Sequence, residues 1–461
     1  MERMERLTVS EIEKAVGGSA SHCDTGLSID DVTCDSRTVR ENSLFVPLAG
    51  KNADGHDFIG KAVTAGARIV LTAREVPEDL QKKACFIRVD DTLSALGRLA
   101  ACYLRRIHPK VVAVTGSVGK TSTKEMLASV LSQKYRTLKT QGNFNNNIGL
   151  PLTIFRLKKD DEMAVLEMGM NHFGEIRALS QIAPPDAAVF TNIGLSHIEN
   201  LGSREGILKA KLEMLENLKP EGCVILNKDN DMLEKASQTI PYPVISYGIY
   251  GDGLHFQAKN VELTQEGVTF ETNIYGEPSC VRIHALGEYN VYNALCAIAA
   301  GEHFGVGREA ILRGIAEYTC ADMRMNIEKT GRYTIIADCY NAAPDSMNEA
   351  LRVLASLENP RKVAVLGDML EMGDYAVEAH RNVGVKASEC AGVLVCVGSH
   401  AKEIAKGALQ AGMNANDVYS FDNNDNCKKE LAGIVKSGDA VLFKASRAMR
   451  FEELAAFLKD C

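Results

Sequence analysis

Four groups of residues combine the right side chains with a setting in which they could act on phosphate. The first is Thr115-Gly116-Ser117-Val118-Gly119-Lys120-Thr121, which follows the apolar run Val111-Val112-Ala113-Val114 and opens a helical pattern at about Lys120. Glycines at a strand-to-helix turn let backbone N–H groups converge on phosphate oxygens, and the helix N-terminus adds its positive end. In that setting Lys120 reaches the β- and γ-phosphates and Thr121 offers its hydroxyl to Mg²⁺. The strict G-x-x-x-x-G-K-[ST] pattern is not met, since Val114 stands in the place of its first glycine. The plain alternative is a glycine-rich turn with an exposed lysine, and the strand–turn–helix context argues against it. Asn227-Lys228-Asp229-Asn230 approaches the guanine-reading N-K-x-D but ends in Asn, so ATP is the expected nucleotide. A kinase and a simple ATPase stay open on these residues alone.

The second and third groups are single residues. Glu167 ends the run Ala164-Val165-Leu166, and His197 follows Thr191-Asn192-Ile193-Gly194. If those strands run parallel to the one before the phosphate loop, both side chains emerge at the carboxyl edge, where open α/β sheets bind ligands. A carboxylate and a neutral imidazole there suit Mg²⁺ bridging to phosphate, although imidazole is a softer ligand than Mg²⁺ usually takes. His197 taken alone also reads as a capping or core residue. The fourth is Lys211. Residues 206–219 read as a helix whose wheel puts Ile207, Leu208, Leu212, Met214, Leu215 and Leu218 on one face. Lys211 falls in the middle of that face, while Lys209 points to solvent. Burial lowers a lysine pKa and favours the neutral amine, which can react with CO₂ to give a carbamate anion. The alternative is a lysine that snorkels past its neighbours to water.

These residues need a scaffold. At roughly 150 residues per domain, 461 residues give about three domains. The chain divides into a small N-terminal α/β unit over 1–108, a central unit over 109–320 and a C-terminal unit over 321–461. The first carries short apolar runs and a helical stretch from Asp91 to Arg106 closed by Pro109. The other two alternate unbroken apolar runs with helical pattern, which predicts parallel sheets covered on both faces. The fold class is therefore α/β: a central parallel-sheet phosphate-loop ATPase domain followed by a smaller Rossmann-like one. Hydrophobic residues at 46% and charged residues at 24% are the ordinary globular mix. A net charge of −8 supplies no field for nucleic acid or an anionic membrane. No apolar run reaches the roughly 18 residues of a membrane span, and the charged start shows no secretory signal. The 13 cysteines, never spaced C-x-x-C, read as free buried thiols in a reducing cytoplasm.

Together these segments resemble the Mur ligases, the ATP-dependent amide ligases of peptidoglycan precursor synthesis. The likeness runs in order through Thr115 to Met126, Gly142 to Asn146, Leu166 to Gly169, Gly174 to Ile176, Thr191 to Gly194 with His197, and Ala210-Lys211. It continues through Asn290 to Asn293, Asp338 to Pro344, Gly367 to Met369 and Lys444 to Arg447. The resemblance implies that Gly116 to Ser122, with Thr115 at their head, hold the ATP phosphates. It makes Thr121, Glu167 and His197 the residues around Mg²⁺, and Lys211 a carbamylated lysine. Asn293 and Asn341 would flank the adenine, Asp338 the ribose and Arg324 the γ-phosphate. Ser36 and Arg37 would face a uridine diphosphate end, Asn145 and Asn146 its phosphates, and Ser446 and Arg447 the peptide end. Lys120, Lys211, His197, Glu167 and Arg324 would carry catalysis. The implied substrates are ATP, UDP-N-acetylmuramoyl-tripeptide and D-alanyl-D-alanine, joined through an acyl phosphate. Asp35-Ser36-Arg37, Asp54 to Phe58 and Gly367 to Gly373 favour that member. The Asp-Asn-Pro-Arg box of the diaminopimelate-adding relative is missing from the sequence. Another muramyl ligase or a folylpolyglutamate synthase is the alternative within the fold, and a nucleotide-gated binding protein the alternative outside it. Two positions depart from the pattern: Tyr289 replaces a usual His, and Ala445 a usual Gly.

Overall fold

The computed structural model describes residues 3–21, 23–24, 26–50 and 53–460. Among the described residues there are five sheets, and the three largest follow one another along the chain. The first has five strands between Ser19 and Arg88, with its edge strand Ser19–Ser21 antiparallel to Cys85–Arg88. The second has seven strands, all parallel, with Lys110–Thr115 flanked by Met163–Glu167 on one side and Ala187–Phe190 on the other. Later strands extend the sheet beyond Ala187–Phe190, and the earlier Thr137–Lys139 lies beyond Met163–Glu167. The winding direction thus reverses at Lys110–Thr115, and the phosphate loop leaves from the end of that strand, at a topological switch point.

The strand sequences are unbroken apolar runs because both faces of each sheet are covered. Successive residues serve different cores. Val111 and Ala113 join a cluster that also takes in Leu166, Phe190, Leu44 and Leu366, while Val112 and Val114 pack beneath the helix Tyr289–His303. The third sheet splits in the same way, Leu366 and Leu442 to one side and Val365 and Val441 to the other.

The structure departs from the sequence reading in three places. A three-stranded antiparallel sheet, Lys259–Thr264, Gly267–Ile274 and Glu277–Ile283, sits within the central unit. The signal in its last two strands is period-two alternation, with Phe270, Ile274, Val281 and Ile283 buried between more exposed residues. The third sheet is not wholly parallel, because Asn326–Lys329 forms an antiparallel hairpin with Thr334–Ala337. The cysteines are not all free buried thiols. Cys23 and Cys85 form a disulfide, brought together when the edge strand Ser19–Ser21 pairs with Cys85–Arg88, and Cys280 is exposed.

The helix Thr92–Ile107 joins the first two units. Asp91 caps it by accepting the Ser94 N–H, and His108 ends it in the left-handed region at φ 61°. Tyr103, fully buried on this helix, accepts the Glu5 N–H at 2.9 Å and donates to the Leu157 carbonyl at 2.7 Å. No helix among the described residues is long and apolar enough to cross a membrane.

Candidate active site

The helix Lys120–Leu131 starts at Gly119, whose φ of +84° is open to glycine at no steric cost, and has no side-chain cap. Its first-turn N–H groups therefore have no side-chain partner, the arrangement that binds anions. Two N–H groups of the preceding loop are otherwise engaged. Ser117 and Val118 donate to Oδ1 of Asn192, at 3.1 and 2.8 Å, and the Ser117 hydroxyl accepts the Gly194 N–H. Thr115 is buried and its hydroxyl donates to the Met168 carbonyl.

Two lysines converge on one loop carbonyl. Lys120 Nζ lies 2.9 Å from the Gly116 oxygen and 3.3 Å from that of Ser117, and Lys211 Nζ reaches the same Gly116 oxygen at 2.9 Å. Lys211 is 1% exposed, so it is a core lysine and does not snorkel. Its helix is shorter than the periodicity suggests. It runs Arg204–Leu212 and tightens into a 3₁₀ turn at Glu213–Asn217, and Lys209 is exposed as expected. Burial drives the Lys211 pKa well below the lysine range, and the neighbouring Lys120 charge adds to the effect. Burial also lowers the Lys120 pKa; Glu167 opposes this and Arg324 reinforces it.

Glu167 is buried at the end of Met163–Glu167, in register with Val114 on the adjacent strand. Its carboxylate accepts from the Thr121 hydroxyl at 3.0 Å and from Asn145 Nδ2 at 2.8 Å. Gly169 makes room for Asn145, since a Cβ there would lie 3.0 Å from the Asn145 amide. Asn146 is exposed, and its Oδ1 accepts the N–H groups of Ile148 and Gly149. Among the described residues no three His, Cys, Asp or Glu side chains gather as a metal cage. The hydroxyl of Thr121 beside the carboxylate of Glu167 is instead a pair of hard oxygen donors, the donor type that suits Mg²⁺.

A cleft of about 850 Å³ opens beside the loop, lined by Val118, Gly119 and Ser122, by Asn293, and by Arg324 and Asp338 from the C-terminal unit. Asn293 Oδ1 accepts from the Thr123 hydroxyl at 2.7 Å. Arg324 lies 4.2 Å over the Tyr340 ring, and its Nε is buried with no hydrogen-bond partner. Asp338 forms a buried ion pair with Lys444, which also donates to the Asn341 carbonyl. The Asn341 side chain is exposed and is not part of the cleft lining. Asp229 of the N-K-x-D look-alike braces a loop, accepting N–H groups from Ile249, Tyr250 and Gly251 and the Tyr292 hydroxyl. Tyr289 and Tyr292 line the same cleft, and burial pushes the Tyr289 phenol well above its usual range.

His197 is held elsewhere. Its Nδ1 lies 2.6 Å from Glu371 Oε2, in the C-terminal unit, and this hydrogen bond holds the Glu371 carboxyl below its usual range. Ser36 lies in the turn after Asp31–Thr33, where Arg37 pairs with Asp35; the Arg37 hydrogen bonds hold the Asp35 carboxyl at about 2. Ser446 is buried, and its hydroxyl accepts the Leu370 N–H, while Arg447 pairs with Glu452. The sequence reading did not single out Glu371, Lys444 as a partner of Asp338, or Asp345. The Asp345 carboxylate occupies the space that a Cβ on Gly194 would need, and burial raises its pKa against the pull of Arg204. Lys444 could have been found, as a lysine closing an apolar strand.

A phosphate loop at a switch point, an acid and a buried lysine beside it, and a third sheet closing the cleft define a three-domain nucleotide-dependent ligase. Three family models match in order: the Mur ligase family catalytic domain over 28–103, the Mur ligase middle domain over 114–301, and the Mur ligase glutamate ligase domain over 323–447. The chain belongs to the Mur ligase family. It is 41% identical to the UDP-N-acetylmuramoyl-tripeptide--D-alanyl-D-alanine ligase of Bacillus subtilis (strain 168), with 98% of each chain covered. Its fold is similar to MurF from Acinetobacter baumannii at a TM-score of 0.91 and 31% identity, over 99% of this chain and 100% of the other. MurF ligase from Thermotoga maritima, solved in complex with ADP, gives a TM-score of 0.83 at 28% identity, over 93% and 97% of the two chains.

Proposed function

We propose that this chain is an ATP-dependent, ADP-forming ligase that joins D-alanyl-D-alanine to UDP-N-acetylmuramoyl-tripeptide in peptidoglycan precursor synthesis, in the cytoplasm. The observation that carries the reading is the meeting of Lys120 and Lys211 on the Gly116 carbonyl, with the Thr121-bound Glu167 close enough for its charge to act on Lys120. Amide formation from a carboxylate is uphill in water. The peptide carboxylate oxygen attacks the γ-phosphorus of ATP, the bond from that phosphorus to the β-bridging oxygen breaks, and ADP leaves. The dipeptide amine then attacks the acyl carbon, the carbon–oxygen bond to phosphate breaks, and the nitrogen loses its proton to give the amide. Lys120 and Arg324, whose buried Nε has no hydrogen-bond partner, would neutralise charge on the transferring group. Thr121, Glu167 and His197 would hold Mg²⁺, which screens phosphate charge when bound.

Lys211 fits a carbamate. Burial beside the Lys120 charge disfavours an ammonium on Lys211, and a carbamate anion there would instead be drawn toward Lys120. Asn293 serves the adenine, with Asn341 beyond it, and Asp338 the ribose, its carboxylate held by Lys444. Ser36, Arg37, Asn145 and Asn146 serve the uridine diphosphate end, and Ser446 and Arg447 the peptide end. The three units divide at 108/109 and 320/321. The test is phosphate release from ATP and UDP-N-acetylmuramoyl-tripeptide, with and without D-alanyl-D-alanine. Release that waits for the dipeptide is expected; rapid turnover without it would overturn the ligase reading.

A further inference from the structure

His197 and Glu371 meet across the boundary between the central and C-terminal sheets, and both hold a backbone conformation that non-glycine residues seldom adopt. Their φ angles are +66° and +63°. Each residue is shaped by its surroundings to point at the other. His197 heads the short turn Ile198–Leu201, and the Glu199 N–H donates to the Glu371 carbonyl at 3.4 Å. Gly373 lies against Glu199, where a Cβ would come within 3.3 Å of the Glu199 backbone.

The segment that presents Glu371 is fixed at its root. Asp368 is buried, and its carboxylate accepts the N–H groups of Ser399 and Ala401. Its carbonyl accepts the Ser446 N–H, while the Ser446 hydroxyl accepts the Leu370 N–H at 2.9 Å. His380, fully buried, accepts the Met369 N–H on Nε2 at 2.9 Å. A surface ion pair needs no such root, because two long side chains find each other through solvent and gain little from it.

We propose that Glu371 is a positioning residue: its carboxylate accepts the Nδ1–H of His197 and so fixes the ring in the tautomer with a bare Nε2, only while the C-terminal domain is docked. A carboxylate behind a ligating histidine sets ring orientation and raises the basicity of the other nitrogen. The use of that nitrogen rests on the proposed metal role of His197; the tautomer itself does not.

The test uses the full chain with ¹⁵N-labelled histidine at pH 8, above the ordinary imidazole range. The His197 ring is assigned by its loss in H197Q, and two-bond ¹H–¹⁵N correlations read the tautomer without metal or nucleotide. Wild type is expected to show a protonated Nδ1. E371N suits the left-handed backbone and is one methylene too short, so it should move the ring to the Nε2–H form. E371Q, whose amide oxygen can still accept, should hold the wild-type pattern. In the ligase assay E371N should lose about 10- to 100-fold in kcat with little change in KM for the dipeptide, and E371Q should recover much of it. A wild-type ring pattern in E371N overturns the proposal, as does a moved tautomer with unchanged kcat. Full activity in H197Q would instead strike the metal reading of His197 and leave the ring measurement standing.

Discussion

Lys211 shows what one residue can say about a site. Its direction is readable from helical periodicity alone, because a charged residue in the middle of an apolar stripe has few ways to be satisfied. Its target is not readable, since the Gly116 carbonyl lies 95 residues away in the chain. The same gap hid the role of Asp229, whose near-motif resembles a base reader but braces the Tyr250 loop. Burial makes Lys211 release its proton on folding, so the folded state binds fewer protons than the unfolded one. Stability then rises with pH between the depressed folded pKa and the ordinary lysine value near 10.4. K211M removes that cost. In bicarbonate-free buffer at pH 7 it should raise Tm, by about 2–4 °C for each kcal/mol gained, and the gain should shrink toward pH 10. Added bicarbonate should stabilise wild type only and narrow the difference. Ligase turnover should fall by about 100-fold or more, the scale of losing one charge-stabilising group. A lower Tm for K211M at pH 7, by calorimetry, would show that the lysine is held as a charged partner.

At the scale of elements, the loop after Lys110–Thr115 depends on what the neighbouring strand leaves open. A Cβ on Gly116 would lie 1.9 Å from Thr191 Oγ1, and Thr191 cannot swing aside freely because its hydroxyl donates to the Val118 carbonyl at 2.6 Å. G116A should therefore shift the loop, costing about 1–3 kcal/mol in stability and weakening ADP binding by about tenfold or more. G116A/T191A should recover part of both losses; calorimetric titration with ADP and thermal melts check this. The sequence made the parallel strands legible because strands buried on both faces are continuous apolar runs. It hid the small sheet between Lys259 and Ile283, whose first strand is exposed almost throughout and whose other two alternate with period two. The Cys23–Cys85 bond was equally hidden, because only the antiparallel edge pairing brings those residues together. The phosphate loop, Glu167 and Lys211 could be read locally, whereas Glu371 and Asp345 act across a domain boundary that no local pattern marks.

The whole molecule is joined by two unlike seams. Between the first two units the seam is largely buried: the helix Thr92–Ile107 lies against the central unit, with Ile182 at Gly97, the Phe155 ring 5.9 Å from that of Tyr103, and the buried Tyr103 hydroxyl on the Leu157 carbonyl. Y103F leaves that carbonyl without its partner and should cost about 1–3 kcal/mol, read by denaturant melts. Between the central and C-terminal units buried side chains of both, Ile198 and Met372 among them, share one apolar cluster, and solvent-reaching polar contacts join it: His197 with Glu371, the Glu199 N–H on the Glu371 carbonyl, and Gln265 on the Ser356 carbonyl at 2.7 Å. The polar contacts exchange readily for water, so this seam is the one expected to open for ATP and to close to keep water from an acyl phosphate. Hydrogen exchange separates the two. Saturating MgADP with the tripeptide nucleotide should slow exchange several-fold at 194–199 and 369–373, on both sides of the second seam. Exchange in Thr92–Ile107 and at Leu157 should stay as it was. Equal protection of both seams would mean that the molecule tightens as one body, and the division of labour between a fixed N-terminal unit and a closing C-terminal one would fall.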